Sequence, residues 1–146
     1  HLTKFHRQTK SIELLSVLLE AYLSAHISSP SIIIPVPLST KRHRKRGYNQ
    51  VELVAKFACM QIEKFDTDVH ILVRNRDTRP QSSLPREERI KNMHDAFGIN
   101  SNTSSLHNKH IILLDDVMTT GATLRAAKAA LLPLQPASIT CVALAH

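Results

Sequence analysis

Ile111-Ile112-Leu113-Leu114-Asp115-Asp116-Val117-Met118-Thr119-Thr120-Gly121-Ala122-Thr123 passes from unbroken apolar sequence, through two adjacent acids, into hydroxyl residues and one glycine. From His110 to Leu114 there is no polar alternation, the pattern of a strand in a parallel sheet covered on both faces. The alanine-rich stretch after it, roughly 122–132, reads as a helix whose small side chains let it lie close on that sheet. Strand, turn and helix in that order place the acids at a carboxyl end of the sheet, where open α/β folds bind ligands. The turn offers backbone N–H groups at a helix N-terminus, which suits a phosphate, and Thr119, Thr120 and Thr123 add hydroxyl donors. Gly121 permits close backbone approach or a positive φ. A carboxylate does not welcome a phosphate. Asp115 and Asp116 suit ligand hydroxyls instead, or Mg²⁺ held directly or through water. A ligand satisfying both halves carries a phosphate at one end and a vicinal diol nearby, as a ribose 5-phosphate does. Acids that cap a helix or close a turn are common singly; a pair followed by Thr-Thr-Gly-Ala-Thr is not.

The flanking sequence predicts the rest of the sheet. Residues 11–26 have helical spacing, with Leu15, Leu18, Leu19 and Tyr22 on one face, and Ser28-Ser29-Pro30 ends that helix. Ser31–Val36, with Ile32-Ile33-Ile34, reads as a buried strand bounded by Pro35 and Pro37. A basic loop follows, then a helix over roughly 48–64 with Val51, Val54, Ala55, Ala58 and Ile62 inward. Val69–Val73 reads as the second strand. Residues 74–92 are polar and read as a mobile loop, then a short helix from Pro85 at N1. Ala96–Ile99 reads as a short strand, Asn100–Asn108 as a surface connection and Ser138–Leu144 as the closing strand. The order α-β-α-β-(α)-β-β-α-β predicts an α/β fold with a mostly parallel central sheet flanked by helices. Nothing resembling a linker divides the chain, so 1–146 reads as a single domain.

With 146 residues, 42% of them hydrophobic and 21% charged, the chain has enough apolar sequence for a core and is not a disordered polyelectrolyte. No apolar run approaches the ~18 residues of a membrane span, and no secretory leader pattern opens the chain. Cys59 and Cys141 stand far apart with no CxxC pair, which excludes a zinc ribbon here and reads as two small buried residues. A reducing cytoplasm is the expected compartment. Five of the cations behind the net charge of +7 lie in the run Lys41-Arg42-His43-Arg44-Lys45-Arg46, and without them the balance is +2. Such a concentrated basic loop, placed after a strand's carboxyl end, wants an anion: a phosphorylated small molecule, nucleic acid or an acidic partner.

The 111–123 stretch resembles the PRPP signature of type I phosphoribosyltransferases: apolar residues, two acids, two variable residues, then a hydroxyl residue before Thr-Gly-x-Thr. Three further segments resemble the ComF family of competence proteins. They are Pro35-Val36-Pro37-Leu38 with Lys41-Arg42 and Arg46-Gly47-Tyr48-Asn49-Gln50; Arg76-Asp77-Thr78-Arg79-Pro80-Gln81 with Leu84, Arg86, Arg89, Asn92 and Ala96-Phe97; and Lys4-Phe5 before the first helix. The resemblance covers nearly the whole chain. It implies a type I phosphoribosyltransferase-like fold that binds PRPP with Mg²⁺. Asp115 and Asp116 would take the ribose hydroxyls, Thr119, Thr120, Gly121, Ala122 and Thr123 would cradle the 5-phosphate, and Val117 and Met118 would belong to the same PRPP-binding segment. Leu38, Ser39, Thr40, Lys41, Arg46 and Gly47 would belong to the pyrophosphate loop, and Arg76, Arg79 and Gln81 to a flexible loop that closes over the site. No residue is expected to hold metal directly; Mg²⁺ would sit near Asp115 and Asp116 through PRPP. The four-cysteine zinc module that precedes this domain in many ComF proteins has no counterpart in these residues, and no segment is long enough for a nucleobase-selecting hood.

Two classes of function follow as expectations. In one, an enzyme displaces pyrophosphate from C1 of PRPP with a nitrogen nucleophile. In the other, the pocket senses PRPP or the protein is a scaffold. In either case the family resemblance implies work on DNA during natural transformation, with Lys41, Arg42, Arg44, Lys45 and Arg46 touching single-stranded DNA or a helicase-type DNA-uptake protein. Nucleobase salvage is a weaker third alternative, disfavoured by the missing hood. The nine histidines show no HxxxH or HExxH spacing and predict no histidine metal site.

Overall fold

The computed structural model describes residues 2–75, 85, 87–88, 96–103 and 105–145, with side chains from Thr9 onward. Four parallel strands form the central sheet in the order β2-β1-β5-β6: β1 is Ser31–Pro35, β2 Phe65–Thr67, β5 His110–Val117 and β6 Ser138–Ala145. Register ties Ser31 of β1 to both Phe65 and His110, and His110 in turn to Ser138. The apolar residues of β1 and β5 are therefore covered on both faces, as the unbroken Ile and Leu runs require.

On one face, Ile33, Ile112 and Leu114 pack with Ile12, Leu19 and Leu23 of helix α1 (Leu2–His26) and Val51, Val54, Ala55 and Ala58 of helix α3 (Gln50–Cys59). On the other, Ile34, Ile111 and Leu113 pack with Leu124, Ala127 and Leu131 of helix α4 (Ala122–Leu131) and with Leu72 and Phe97. The parallel sheet and its two helical layers are those expected from the sequence.

Several details differ from the sequence reading. The sheet's edge strand is β2, not Val69–Val73. Phe65 is the one residue of β2 that is fully buried, so the segment lacks the apolar run that marks a strand. Leu72–Arg74 (β3) instead pairs antiparallel with Phe97–Ile99 (β4) in a separate two-stranded ladder. The expected helix over 48–64 stops at Cys59, where turns bond Ile62 N to Cys59 O and Phe65 N to Ile62 O.

The basic segment is a helix, α2 (Thr40–Arg46), rather than a loop. Ser39 Oγ accepts from Arg42 N at its start and Gly47, at φ 80°, ends it. Lysine and arginine are good helix formers, and the charges in its last turn complement the helix dipole. On α1 the inward seam is Ile12, Ser16, Leu19 and Leu23, while Leu18 and Tyr22 face out at 55% and 46% exposure. Leucines lie on more than one side of that helix, so periodicity alone did not single out the packed side.

Cys141 is exposed and Cys59 only half-buried, because β6 is an edge strand and Cys59 ends its helix. Burial, with Asp66 nearby, pushes the Cys59 thiol up to about 11, so it is not a reactive thiolate. The expected flexible loop and most of the helix from Pro85 lie outside the described residues. Among the described residues no helix is long and apolar enough to cross a membrane.

Candidate functional site

Strand β5 does not stop at Leu114; it carries Asp115, Asp116 and Val117 within the ladder to β6. Successive strand residues point to opposite faces. Asp115 thus continues the Ile111–Leu113 side and Asp116 the Ile112–Leu114 side, and the two carboxylates flank the strand tip. The Asp116 amide donates to Asp115 Oδ1 at 2.8 Å. Burial pushes the Asp115 carboxyl above its ordinary value; that amide bond opposes the shift, the Asp116 charge adds to it, and Arg42 and Arg74 oppose it.

Asp116 Oδ2 accepts from Arg46 Nη1 at 3.2 Å, so the last residue of α2 reaches the tip of β5. Leu38 and Ser39 are half-buried between β1 and α2, whereas Thr40, Lys41, Arg42, Arg44, Lys45, Arg46 and Gly47 are exposed. Among the described residues Arg46 alone of the five clustered Lys and Arg side chains meets a carboxylate.

The turn from Val117 to Gly121 closes against β6 through Met118 N to Ala145 O at 3.0 Å. Gly121 caps α4 at φ 72°, and among the described side chains Thr120 Oγ1 bonds the helix start, accepting from Ala122 N at 3.3 Å. Arg125 holds the turn from below, its Nη1 donating to Thr120 O at 3.0 Å. Thr119 and Thr120 are exposed, and Gly121, Ala122 and Thr123 are half-buried. The first turn of α4 therefore presents N–H groups beside two accessible hydroxyls, an anion-binding arrangement.

Two residues carry the frame without having been assigned a role from sequence. Buried Asn49 caps α3 by accepting from Val51 N at 3.1 Å and donates Nδ2 to Val36 O at 3.1 Å, which fixes the exit of β1 to the start of α3. An Asn just before an apolar helix is a capping signal. Arg74, at the end of β3, donates to Pro37 O at 3.4 Å and stacks its guanidinium 5.1 Å from the Phe97 ring. It thereby ties the β3–β4 ladder to the same end of the sheet. The tandem arginines of that region masked this one in the sequence. The expected flexible-loop residues Arg76, Arg79 and Gln81 lie outside the described residues.

The site thus unites Asp115, Asp116, the 117–123 turn and the 38–47 segment at the carboxyl ends of the two central strands, β1 and β5. Among the described residues no cluster of three His, Cys, Asp or Glu side chains that could hold a metal occurs.

The family model of the phosphoribosyl transferase domain matches residues 49–146. The DNA utilization protein YhgH of Escherichia coli O157:H7 is 31% identical over 131 residues, with 84% of this chain and 55% of that protein covered. Competence protein ComFC of Bacillus subtilis is 35% identical over 101 residues, covering 69% of this chain and 38% of that protein. The chain spans about half the length of the curated YhgH relatives it matches. Among solved structures, a hypoxanthine phosphoribosyltransferase from Staphylococcus aureus superposes with a TM-score of 0.54 at 15% identity, over 92% of this chain and 62% of that one, a likeness of fold.

Proposed function

This chain belongs to the ComF-type proteins of the phosphoribosyltransferase domain family, and on that premise we propose that it binds PRPP with Mg²⁺ and serves the handling of incoming DNA during natural transformation. The supporting observation is the meeting, at the carboxyl ends of the central strands, of the Asp115–Asp116 pair, the α4 N-terminus and cationic α2. PRPP offers one group to each: its ribose diol to the carboxylates, its 5-phosphate to the turn, its pyrophosphate to α2. The spacing of three unlike groups on one ligand explains three unlike protein elements side by side.

The donor set also fits Mg²⁺. Among the described residues the two carboxylates have no third side-chain ligand beside them, which suits an ion that keeps several waters and takes phosphate oxygens. Bound there, Mg²⁺ would neutralise pyrophosphate charge. The chain's own residues do the rest. Asp115 and Asp116 orient the ribose by accepting from its hydroxyls, the 119–123 amides and hydroxyls fix the phosphate, and Arg46 and its neighbours draw in the pyrophosphate. If an acceptor nitrogen attacks C1, the C1–O bond breaks and pyrophosphate leaves with the electron pair, its charge met by α2.

A second reading rests on a separate observation. Lys41, Arg42, Arg44 and Lys45 are exposed and meet no carboxylate among the described residues, which supports contact with single-stranded DNA phosphates.

PRPP titration by calorimetry, with and without Mg²⁺, tests the first reading. Mg²⁺-dependent binding that disappears in Asp115→Asn/Asp116→Asn supports it. A folded wild-type chain that takes up no PRPP overturns it.

A further inference from the structure

At the other end of the sheet from Asp115, a cleft of about 190 Å³ opens between the C-terminus of α1 and the first residues of β1, β5 and β6. Two imidazoles line it, His26 and His110, together with the hydroxyl residues Ser28, Ser29, Ser138 and Thr140. They are 84 positions apart in sequence, which is why no spacing motif announced them. His26 is the last residue of α1. His110 opens β5 and, by alternation with Ile112 and Leu114, stands on the sheet face that α1 covers.

Each ring has its Nδ1 engaged. His26 Nδ1 lies 2.8 Å from the carbonyl oxygen of Tyr22, and its ring stacks on Tyr22 at 4.3 Å. A carbonyl only accepts, so Nδ1 carries the proton and neutral His26 leaves its Nε2 lone pair free. His110 Nδ1 lies 2.8 Å from Ser138 Oγ, which can accept from it; in the tautomer protonated at Nδ1, Nε2 is the nitrogen with no partner among the described residues. An imidazole whose Nδ1–H is bonded to a carbonyl or hydroxyl, with Nε2 turned loose, is the arrangement of metal-bound histidines. The cleft lies at the carboxyl end of a 25-residue helix, whose dipole draws cations, and Lys64 Nζ already donates to Ile27 O there at 2.6 Å.

From this juxtaposition we infer that His26 and His110 form a binding site for a divalent transition-metal ion of the zinc and cobalt type. Imidazole nitrogen favours such ions over Mg²⁺. With two protein nitrogens, the remaining positions go to water or to the hydroxyls of the cleft, so the ion is exchangeable and open to an outside ligand. The site is separate from the carboxylate pair and does not depend on PRPP binding.

Titration with Co²⁺, read by visible absorption, and with Zn²⁺, read by calorimetry, tests the inference in the full chain. The expected result is uptake at micromolar concentration that weakens at least about tenfold in His26→Ala and in His110→Ala. Ser138→Ala keeps both ligands but removes the group that orients His110, and it should weaken binding by roughly tenfold as well. A chance pair of surface histidines would not respond to that change. His107→Ala, outside the cleft, should leave uptake unchanged. Uptake that survives both single histidine substitutions, or a wild-type chain that takes up neither ion at micromolar concentration, overturns the site.

Discussion

Arg46 of α2 reaches across 70 positions of sequence to donate to Asp116 at the tip of β5, 3.2 Å away. The pair is the physical link between the basic segment and the acidic one. Arg46 is 44% exposed, so water screens the attraction, and such pairs contribute about 0–1 kcal/mol. Its value lies in placement, since it holds a cation beside a carboxylate where an anionic sugar ligand would need both. Asp116→Asn should therefore change unfolding in denaturant by less than about 1 kcal/mol. The same change removes a charged acceptor and should weaken PRPP binding about tenfold or more. Equilibrium unfolding and calorimetry on one preparation check both halves. Equal losses in stability and binding would count against the ligand role.

Asp115 predicts an opposite trade. Burial raises its carboxyl above the ordinary value, so the folded chain holds that proton more tightly than the unfolded chain does. The stability associated with it is present at acid pH and is lost as pH rises through the folded value. At pH 7 the ionised carboxylate is a cost to the fold. Asp115→Asn keeps an oxygen for the Asp116 amide and removes the charge. The variant should melt above wild type at pH 7, with the gap closing as pH falls through the carboxylate range. PRPP binding should fall at the same time. Melting curves across that range give the sign directly.

Much of this was legible in the sequence, for physical reasons. The strand–acid–turn–helix run of 111–123 is local, and its order fixes the end of the sheet on which the acids lie. Ile32-Ile33-Ile34 and the 111–114 run sit on both faces of the sheet, so their apolar continuity marked them as central strands. What escaped depends on contacts distant in sequence. Phe65–Thr67 becomes a strand only because Ser31–Ile33 offers it a partner edge. The charge run of Lys41–Arg46 suggests a loop, but the Ser39 cap and the Gly47 stop make it a helix. His26 and His110 meet only through the docking of α1 on the sheet. The spacing of Leu18 and Tyr22 suits an inward face, but several faces of α1 satisfy the same period and these two stay exposed.

The glycines of the two anion-binding segments separate strain from space. Gly47 and Gly121 both have positive φ, 80° and 72°, which costs a side-chain-bearing residue about 1–2 kcal/mol. A Cβ on Gly47 would meet nothing within 4 Å, whereas on Gly121 it would lie 3.1 Å from Arg125 Nη1. Gly121→Ala therefore adds to the strain a shift of a few tenths of an ångström in the Arg125 guanidinium that donates to Thr120 O. It should destabilise more than Gly47→Ala and also reduce phosphate binding at the turn. Denaturant midpoints for the two variants, measured side by side, test the order.

Asn49 tests the frame beneath the site. Its two bonds join the α3 cap to the Val36 carbonyl in a buried place, 5% exposed. Asn49→Ala removes a cap worth about 1 kcal/mol and leaves a buried carbonyl short of a donor, at about 1–3 kcal/mol more. Unfolding should shift by roughly 2–4 kcal/mol. Because Val36 leads directly into the 38–47 segment, any folded fraction should bind PRPP more weakly than wild type. An unchanged unfolding midpoint would mean that other contacts hold the exit of β1.

Helix α2 offers a test of the nucleic-acid reading that needs no knowledge of sequence preference. Five cations on exposed residues, if all meet phosphates of single-stranded DNA, release counterions with a log–log salt slope of about −0.7 per contact, or about −3.5. Arg44→Ala removes one exposed cation without touching the Arg46–Asp116 pair, and the slope should become shallower by about 0.7. Arg46→Ala should change the slope by less if that side chain stays with Asp116 in the complex. Fluorescence anisotropy with a labelled oligonucleotide over a salt series gives the slopes. If the slope ignores Arg44→Ala, α2 is not the phosphate-binding element, and the cluster's anion is then the pyrophosphate of a small ligand.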